Sequence, residues 1–283
     1  MSPKFQKRSL LKFVGRTNET QILQTQCSNI CKLNYPVCKA HRDIPNKTGF
    51  NTQQLATESV SKFCLDGPVM NKIFAIGDIH GCLGKLQELV QRIGADPQND
   101  TLIFIGDYID RGNSSREVVD YIIRLKKEYK KVVCLLGNHE YMLIRYLEGV
   151  DENMYLENGG IATLHSYGIF RSDEPKKRKA KIPREHRQFF ESLLPHYETE
   201  DYIFVHAGLK PGLPLHEQTM HDLLWARHEF IDAEDDFGKM VVFGHTPLSY
   251  PLIMPNKIGI DTGAVFGGKL TCIELPAVKI NQV

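Results

Sequence analysis

The chain has 283 residues, 42% hydrophobic and 24% charged, with a formal net charge of +1, which suits a globular fold with ample core. No apolar run approaches the ~20 residues of a membrane span, and the near-neutral balance offers no general polyanion-binding face, so membrane and nucleic acid are not expected partners. Seven unevenly spaced cysteines in a chain this long do not form a disulfide framework, which favours a reducing, cytoplasmic setting.

Residues 1–70 carry ten Lys or Arg and four acids, so this stretch is near +6 and the remainder near −5. It lacks hydrophobic periodicity, and residues 1–69 read as a disordered or weakly structured leader. Its basic, acid-free stretch 4–16 has the character of an organelle-targeting peptide. Cys27, Cys31, Cys38 and His41 have ligand chemistry, but their irregular C-x3-C-x6-C-x2-H spacing favours scattered thiols over a zinc knuckle. Met70 stands two residues ahead of the first core strand, so the catalytic domain is expected to span 70–283, with 1–69 dispensable for catalysis.

The first strand covers residues 72–76. Leu86, Leu89, Val90 and Ile93 then recur at helical spacing, which predicts a helix over 83–93 ended by Gly94. A second strand, 101–105, precedes a helix capped by Ser114 or Ser115 that runs to about Glu128 with Val118, Val119, Ile122 and Leu125 inward. The third strand is 132–136. Two β-α-β units in series imply parallel strands with right-handed crossovers. From Glu140 to about Leu194 the pattern is mostly helical, broken at Gly159-Gly160 and by a 171–183 loop. The basic run Pro175–Lys181 within that loop resembles a nuclear localisation signal, but is better read as a solvated basic loop. Strands return at Tyr202–Val205 and Met240–Phe243, with a helix near 222–229 between them. Segments 257–260 and 269–274, flanking Gly267-Gly268, predict a hairpin.

Ligand-type residues fall where apolar runs stop: Gly77-Asp78-Ile79-His80-Gly81, Gly106-Asp107-Tyr108-Ile109-Asp110-Arg111-Gly112, Gly137-Asn138-His139-Glu140, His206-Ala207-Gly208 and Gly244-His245-Thr246. In an open α/β sheet these points form the carboxyl edge, where ligand sites are built. One such Asp reads as a helix cap and one such His as a hydrogen-bonded core residue. Five blocks, all at strand ends, do not. Carboxylate, amide and imidazole converging there suit two borderline divalent metals, which speed phosphate-ester hydrolysis by acidifying a bridging water and neutralising the phosphate oxygens.

Asp107, on the middle strand of the β-α-β-α-β unit, is the expected bridging carboxylate. Asp78 and His80 are expected to complete one metal, and Asn138, His206 and His245 the other. His139 cannot easily share a metal with its neighbour Asn138, so it is assigned as the general acid, oriented by Asp110. Arg111 offers a bidentate fork to phosphate. Glu140 is read as structural, holding the turn. Gly77, Gly106 and Gly137 are expected to permit the tight turns before the ligands.

The GDxHG, GDxxDRG, GNHE, HAG and GHT series resembles the phosphoprotein phosphatase branch of the metallophosphoesterases, above all its compact bacterial and phage members, over about residues 70–275. Tyr155-Leu156-Glu157-Asn158-Gly159-Gly160 and Ile260-Asp261-Thr262-Gly263-Ala264 add to the likeness. The resemblance implies an α/β calcineurin-like fold of two face-packed mixed sheets flanked by helices, with a dinuclear site at the strand carboxyl ends. It implies the same metal ligands, two divalent ions (manganese foremost, iron or zinc also suitable), and a second phosphate-binding arginine after a tryptophan, supplied here by Arg227. The expected activity is a serine/threonine-type protein phosphatase. The alternative is a hydrolase of dinucleoside polyphosphates of the diadenosine tetraphosphate type on the same metal centre, so the substrate partner is a phosphoprotein or a phosphorylated small molecule or nucleotide. The symmetrical tetraphosphatase branch resembles GDxxNRG and GNHD, whereas Asp110 and Glu140 stand here, which favours the phosphomonoesterase.

Overall fold

The computed structural model of the protein describes residues 71–283. The 1–69 leader, its 4–16 stretch and the Cys27, Cys31, Cys38 and His41 cluster lie outside the described residues.

The first half alternates strand and helix: β1 (Ile73–Ile76), α1 (Leu83–Ile93), β2 (Thr101–Phe104), α2 (Ser115–Glu128), β3 (Lys131–Cys134) and α3 (Asn138–Leu147). A helical insertion follows, made of α4 (Glu152–Tyr155), a π turn (Leu156–Gly160), α5 (Ile161–Ser166), α6 (Pro175–Lys181) and α7 (Arg184–Glu191). The rest comprises β4 (His196–Glu198), β5 (Tyr202–Val205), α8 (Met220–Trp225), α9 (His228–Ile231), β6 (Met240–Phe243), β7 (Leu252–Ile253), β8 (Lys257–Gly259), β9 (Thr271–Leu275) and β10 (Lys279–Gln282).

Among the described residues, ten strands divide into two five-stranded mixed sheets, ordered β10-β9-β1-β2-β3 and β4-β5-β6-β8-β7. In each, the three parallel strands are neighbours: β1, β2 and β3 in the first, β5, β6 and β8 in the second. β2 lies between β1 and β3, which puts Asp107 beside both neighbouring ligand turns.

Period-two alternation explains the layers. Phe74, Ile76, Leu102 and Phe104 face one apolar cluster with α1 and α2, while Ala75, Ile103 and Ile105 face another. That second cluster also holds Phe204, Val242, Ile258 and Ile260, so it is the seam between the sheets. Ile203, Val205, Val241 and Phe243 point outward to a third cluster under α8 and α9. Sheets buried on both faces need uninterrupted apolar strands, and sequences such as IFAI, TLIF, YIFV and MVVF supply them.

Helix α1 buries Leu86, Leu89 and Val90, and Gly94 ends it in the left-handed conformation at φ 56°. Helix α2 buries Val118, Val119, Ile122 and Leu125 as its periodicity requires. Like Arg227 ahead of α9, Ser114 occupies the N-cap position but makes no side-chain cap bond, and the Ser115 hydroxyl instead accepts the Asp110 N–H.

Two expectations fail here. Pro175–Lys181 is a helix rather than a solvated loop, started by proline at its first turn. Arg178 is buried on it, donating to the carbonyls of Asp173 and Tyr146 and to both Glu152 carboxylate oxygens, while Lys177 and Lys181 pair with Asp173. Glu152 lies 26 residues away, so a local window shows the positive charges and misses one of their counter-charges. Nor do the segments flanking Gly267-Gly268 form a hairpin. β8 pairs with β6 and β7 in the second sheet, while β9 pairs with β1 and β10 in the first. The hairpins are β4–β5, β7–β8 and β9–β10, and the short strands β4, β7 and β10 carry no pattern long enough to read.

Candidate metal centre

All six parallel strands deliver a polar residue to one edge. β1 leads to Asp78 and His80, β2 to Asp107, Asp110 and Arg111, and β3 to Asn138 and His139. From the second sheet, β5 leads to His206, β6 to His245 and β8 to Asp261. Among the described residues, seven non-glycine positions have positive φ, and five are His80, Asp107, Asp110, Arg111 and His245. Left-handed backbone costs ~1–3 kcal/mol per such residue, so its concentration here marks a site whose side-chain directions are imposed by the fold.

Asp107 sits at the centre. One carboxylate oxygen accepts the His139 N–H at the start of α3 (3.1 Å) and lies 3.5 Å from His206 Nε2; the other lies 3.4 Å from His80 Nε2. Asn138 Oδ1 lies 3.0 Å from both His206 Nε2 and His245 Nδ1. Asp78 accepts the His245 N–H on both oxygens, at 3.2 and 3.0 Å. The imidazoles are oriented from behind. His80 Nδ1 donates to the Ile109 carbonyl (2.9 Å) and His206 Nδ1 to the Ile105 carbonyl (3.1 Å), which leaves each Nε2 lone pair facing Asp107.

Burial forces the His80 imidazole down to about 3, and burial with the neighbouring His206 forces His245 down to about 2, so both are neutral donors near neutrality. Burial pushes the Asp78 carboxyl well above the usual range, with repulsion from Asp261 and Asp107 adding to it, and pushes Asp261 up to about 6. Burial would raise Asp107 too, but the surrounding imidazoles, His206 first, outweigh it and hold that carboxyl below the usual range.

These residues fit two divalent cations. His80, Asp107 and His139 present ligand atoms within 4.8 Å of one another, as do Asp107, His206 and His245, and Asp107 belongs to both groups. Three buried carboxylates repel one another at this edge, and the buried His245 Nε2 has no hydrogen-bond partner. Mixed nitrogen and oxygen donors suit a borderline ion, and positive charge relieves the repulsion.

Beside this cluster His139 Nδ1 contacts Asp110 Oδ2 at 2.7 Å. Asp110 is held on every side: its other oxygen accepts from the Tyr155 (2.8 Å) and Thr163 (2.5 Å) hydroxyls, and its N–H meets Ser115 Oγ and Thr163 Oγ1. Glu140 has the structural role expected of it, accepting the N–H groups of Asp107, Tyr108, Ile109 and Gly137 and so fixing the turn. Arg111 reaches His80 Nε2 and stacks over Phe266 at 5.3 Å. Arg227 does not lie along a helix face. It caps α9 and, with Arg111, Asp107, Asn138, His139 and His245, lines a cavity of about 260 Å³. A larger hollow of about 400 Å³ under the second sheet, lined by Gly212–Leu215 and Asp235–Phe237, contains none of this chemistry.

The structure thus brings the candidate ligands Asp78, His80, Asp107, Asn138, His206 and His245 together with His139, Asp110, Arg111 and Arg227. Thr163 was not singled out, because a hydroxyl within a helix carries no motif; Ser115 was read only as a helix cap, and Tyr155 was visible only inside the Tyr155–Gly160 likeness. Asp261 was visible only inside the Ile260–Ala264 likeness. The glycines act differently than expected. Only Gly106 needs positive φ (114°); Gly77, Gly137 and Gly244 lack room for a Cβ, against the Ile260 carbonyl, Asp107 and Asp78 respectively.

Known proteins share this design. The family model described as Calcineurin-like phosphoesterase matches residues 71–275. The chain belongs to that family. Calcineurin-like phosphoesterases use divalent metals, so the centre described above belongs to a metallophosphoesterase, a hydrolase. Among curated relatives, the asymmetrical bis(5'-nucleosyl)-tetraphosphatase PrpE of Oceanobacillus iheyensis is 31% identical over 242 residues, covering 75% of this chain and 92% of the relative. The protein of that name from Bacillus cereus is 31% identical over 231 residues, covering 74% and 92%. A putative diadenosine tetraphosphatase of known structure shares the fold at TM-score 0.57 and 23% identity, covering 76% of this chain and 94% of that one. A serine/threonine protein phosphatase from Saccharomyces cerevisiae shares it at TM-score 0.54 and 17% identity, covering 77% and 81%. Among the described residues, no helix is long and apolar enough to cross a membrane.

Proposed function

We propose that this calcineurin-like phosphoesterase hydrolyses dinucleoside polyphosphates of the diadenosine tetraphosphate type, off centre, to two unequal nucleotides. The observation that carries this reading is the match at 31% identity to asymmetrical tetraphosphatases over 92% of their length. It replaces the protein-phosphatase expectation as the leading one. Asp110 and Glu140 argue against the symmetrical branch alone; they do not separate a phosphomonoesterase from an asymmetrical enzyme, since both need an oriented acid.

In this reading Asp78, His80 and Asp107 would hold one divalent ion, and Asp107, Asn138, His206 and His245 would hold the other, with manganese the expected metal. When bound, such ions acidify a water and neutralise phosphate oxygens. Arg111 and Arg227 grip the polyphosphate from the cavity walls, adding bidentate positive charge where negative charge concentrates. His139, held through Nδ1 by Asp110, presents Nε2 to the departing oxygen and donates its proton as the P–O–P bond breaks. The water's oxygen ends on the attacked phosphorus, and the other nucleotide leaves with the bridging oxygen. Met142, Met154, Trp225 and Phe266 complete the walls and shield the charges from bulk water.

The test is a head-to-head turnover assay on the full chain with manganese. Diadenosine tetraphosphate is expected to give AMP and ATP with kcat/KM at least about tenfold above that for a phosphoserine peptide. Two equivalents of ADP, or a preference for the peptide, overturns the assignment.

A further inference from the structure

Next to the metal-type cavity a second hollow of about 320 Å³ opens between α3, the turn before α4, and α8. The two share three wall residues: Met142, Met154 and Trp225. The cavity is lined by charge, whereas Tyr141, Met220 and the shared three make the hollow mainly aromatic and apolar. Tyr141 packs edge-on against Trp225 with ring centres 5.3 Å apart, and His221 stacks on Trp225 at 5.6 Å. Met154 and Met220 remain 43% and 41% exposed, so thioether surface faces outward with nothing from the described residues covering it. At the rim Arg145 Nε donates to Asp151 Oδ2 at 2.8 Å, leaving a guanidinium edge and a carboxylate oxygen for a polar ligand edge.

We infer that this hollow is the purine-base subsite of the substrate, so that the nucleotide's phosphate lies in the cavity while its base packs on Tyr141 and Trp225. The inference deepens the dinucleoside polyphosphate reading and rests on it. Four observations support it together. The cavity lined by Arg111 and Arg227 adjoins the hollow through Met142, Met154 and Trp225, so a nucleotide whose phosphate is held in the one has its base beside the other. Flat aromatic rings with adaptable methionines suit a planar base, which every purine offers. The volume falls at the lower end of the ~300–1,000 Å³ of small-molecule sites. Finally, Arg145 supplies donors for ring nitrogens, and Asp151 an acceptor for an exocyclic amine.

The chain contains a single tryptophan, Trp225, so its emission reports on this wall alone. In the manganese-loaded full chain, calorimetry is expected to show AMP binding on the order of tenfold tighter than ribose 5-phosphate or inorganic phosphate, with Trp225 emission followed beside it because that ring borders both the cavity and the hollow. Tyr141→Ala and, separately, Met220→Asp are expected to weaken AMP binding on the order of tenfold, with unfolding temperature tracked to confirm that each variant folds. Tyr141 and Met220 line the hollow and not the cavity, so a loss confined to base-bearing ligands assigns the effect to the base. Equal binding of AMP and ribose 5-phosphate, no AMP binding at millimolar concentration, or wild-type affinity in both variants overturns the subsite. Turnover is read separately: base-dependent AMP binding without cleavage of diadenosine tetraphosphate sinks the proposed reaction and leaves the subsite standing.

Discussion

The two sheets contribute to the site in unequal ways. From the first sheet come Asp78, His80, Asp107, Asp110, Arg111, Asn138 and His139, all within about sixty residues, and four of these have left-handed backbone. Behind them stand side chains that hold the site: Glu140 under the Asp107 turn, and Tyr155, Thr163 and Ser115 around Asp110. The second sheet supplies His206, His245 and Asp261, one per strand, and these are held chiefly by main-chain groups or by the first sheet itself, as with the Ile105 carbonyl on His206. The difference teaches that the first half sets the geometry of both candidate metal positions and of the acid, while the second half closes one of them.

Breaking the shared centre is expected to have the largest effect. Asp107→Asn removes the one carboxylate common to both candidate groups, so turnover should fall to background and elemental analysis should show loss of both metals. Full activity in that variant removes the two-metal assignment. His206→Asn, a change in the second sheet alone, should instead lower bound metal from two toward one per chain. Loss of both ions there would erase the asymmetry between the sheets.

The acid comes next. His139→Asn should retain metal and lose ~10²–10⁴ in kcat on substrates with poor leaving groups. On p-nitrophenyl phosphate, whose leaving group scarcely needs a proton, the loss should be smaller. Equal losses on both would show that His139 donates no proton.

One layer further out, Tyr155→Phe deletes a buried hydroxyl that donates to Asp110 at 2.8 Å. A drop of ~10-fold in kcat is expected, in line with the 10–100-fold typical of residues that orient a first ligand, while metal content stays constant. The decisive readout is the dependence on the leaving group: the loss should be larger on poor leaving groups than on p-nitrophenyl phosphate, and an equal loss would make Tyr155 a packing residue only. Arg227→Ala should have the smallest effect, raising KM several-fold with kcat changed by less than about threefold, because the exposed guanidinium assists Arg111 rather than replacing it. An unchanged KM would remove Arg227 from the phosphate grip.

Much of the first half could be read along the chain. β1, β2 and β3 end within two residues of their expected ends, α1 and α2 bury the residues their periodicity selects apart from the half-buried Ile93, and β5 and β6 match their expected bounds. The short edge strands escaped because two to four residues carry no resolvable alternation. The 175–181 segment was misread because the acids that neutralise it lie outside its own run of basic residues. Substrate class was left between a phosphoprotein and a dinucleoside polyphosphate for another reason. The metal and acid motifs encode phosphorus chemistry common to both, whereas Tyr141, Met154 and Met220, which line the neighbouring hollow, carry no motif, and Trp225 entered only as the tryptophan ahead of Arg227.

By itself, then, the sequence determined which segments are buried strands, which helices cover them, and which polar residues stand at strand ends, because backbone preference and hydrophobic period act within a few residues. Tertiary structure decided which strands share a sheet: β8 and β9 look like a hairpin, yet each joins the sheet that buries both of its faces. It also brought Asn138 to His206 and His245, 68 and 107 residues away, and Asp110 to Thr163, 53 residues away. Such partners are chosen by the need to satisfy every buried polar group at once, a condition that exists only after the layers have closed.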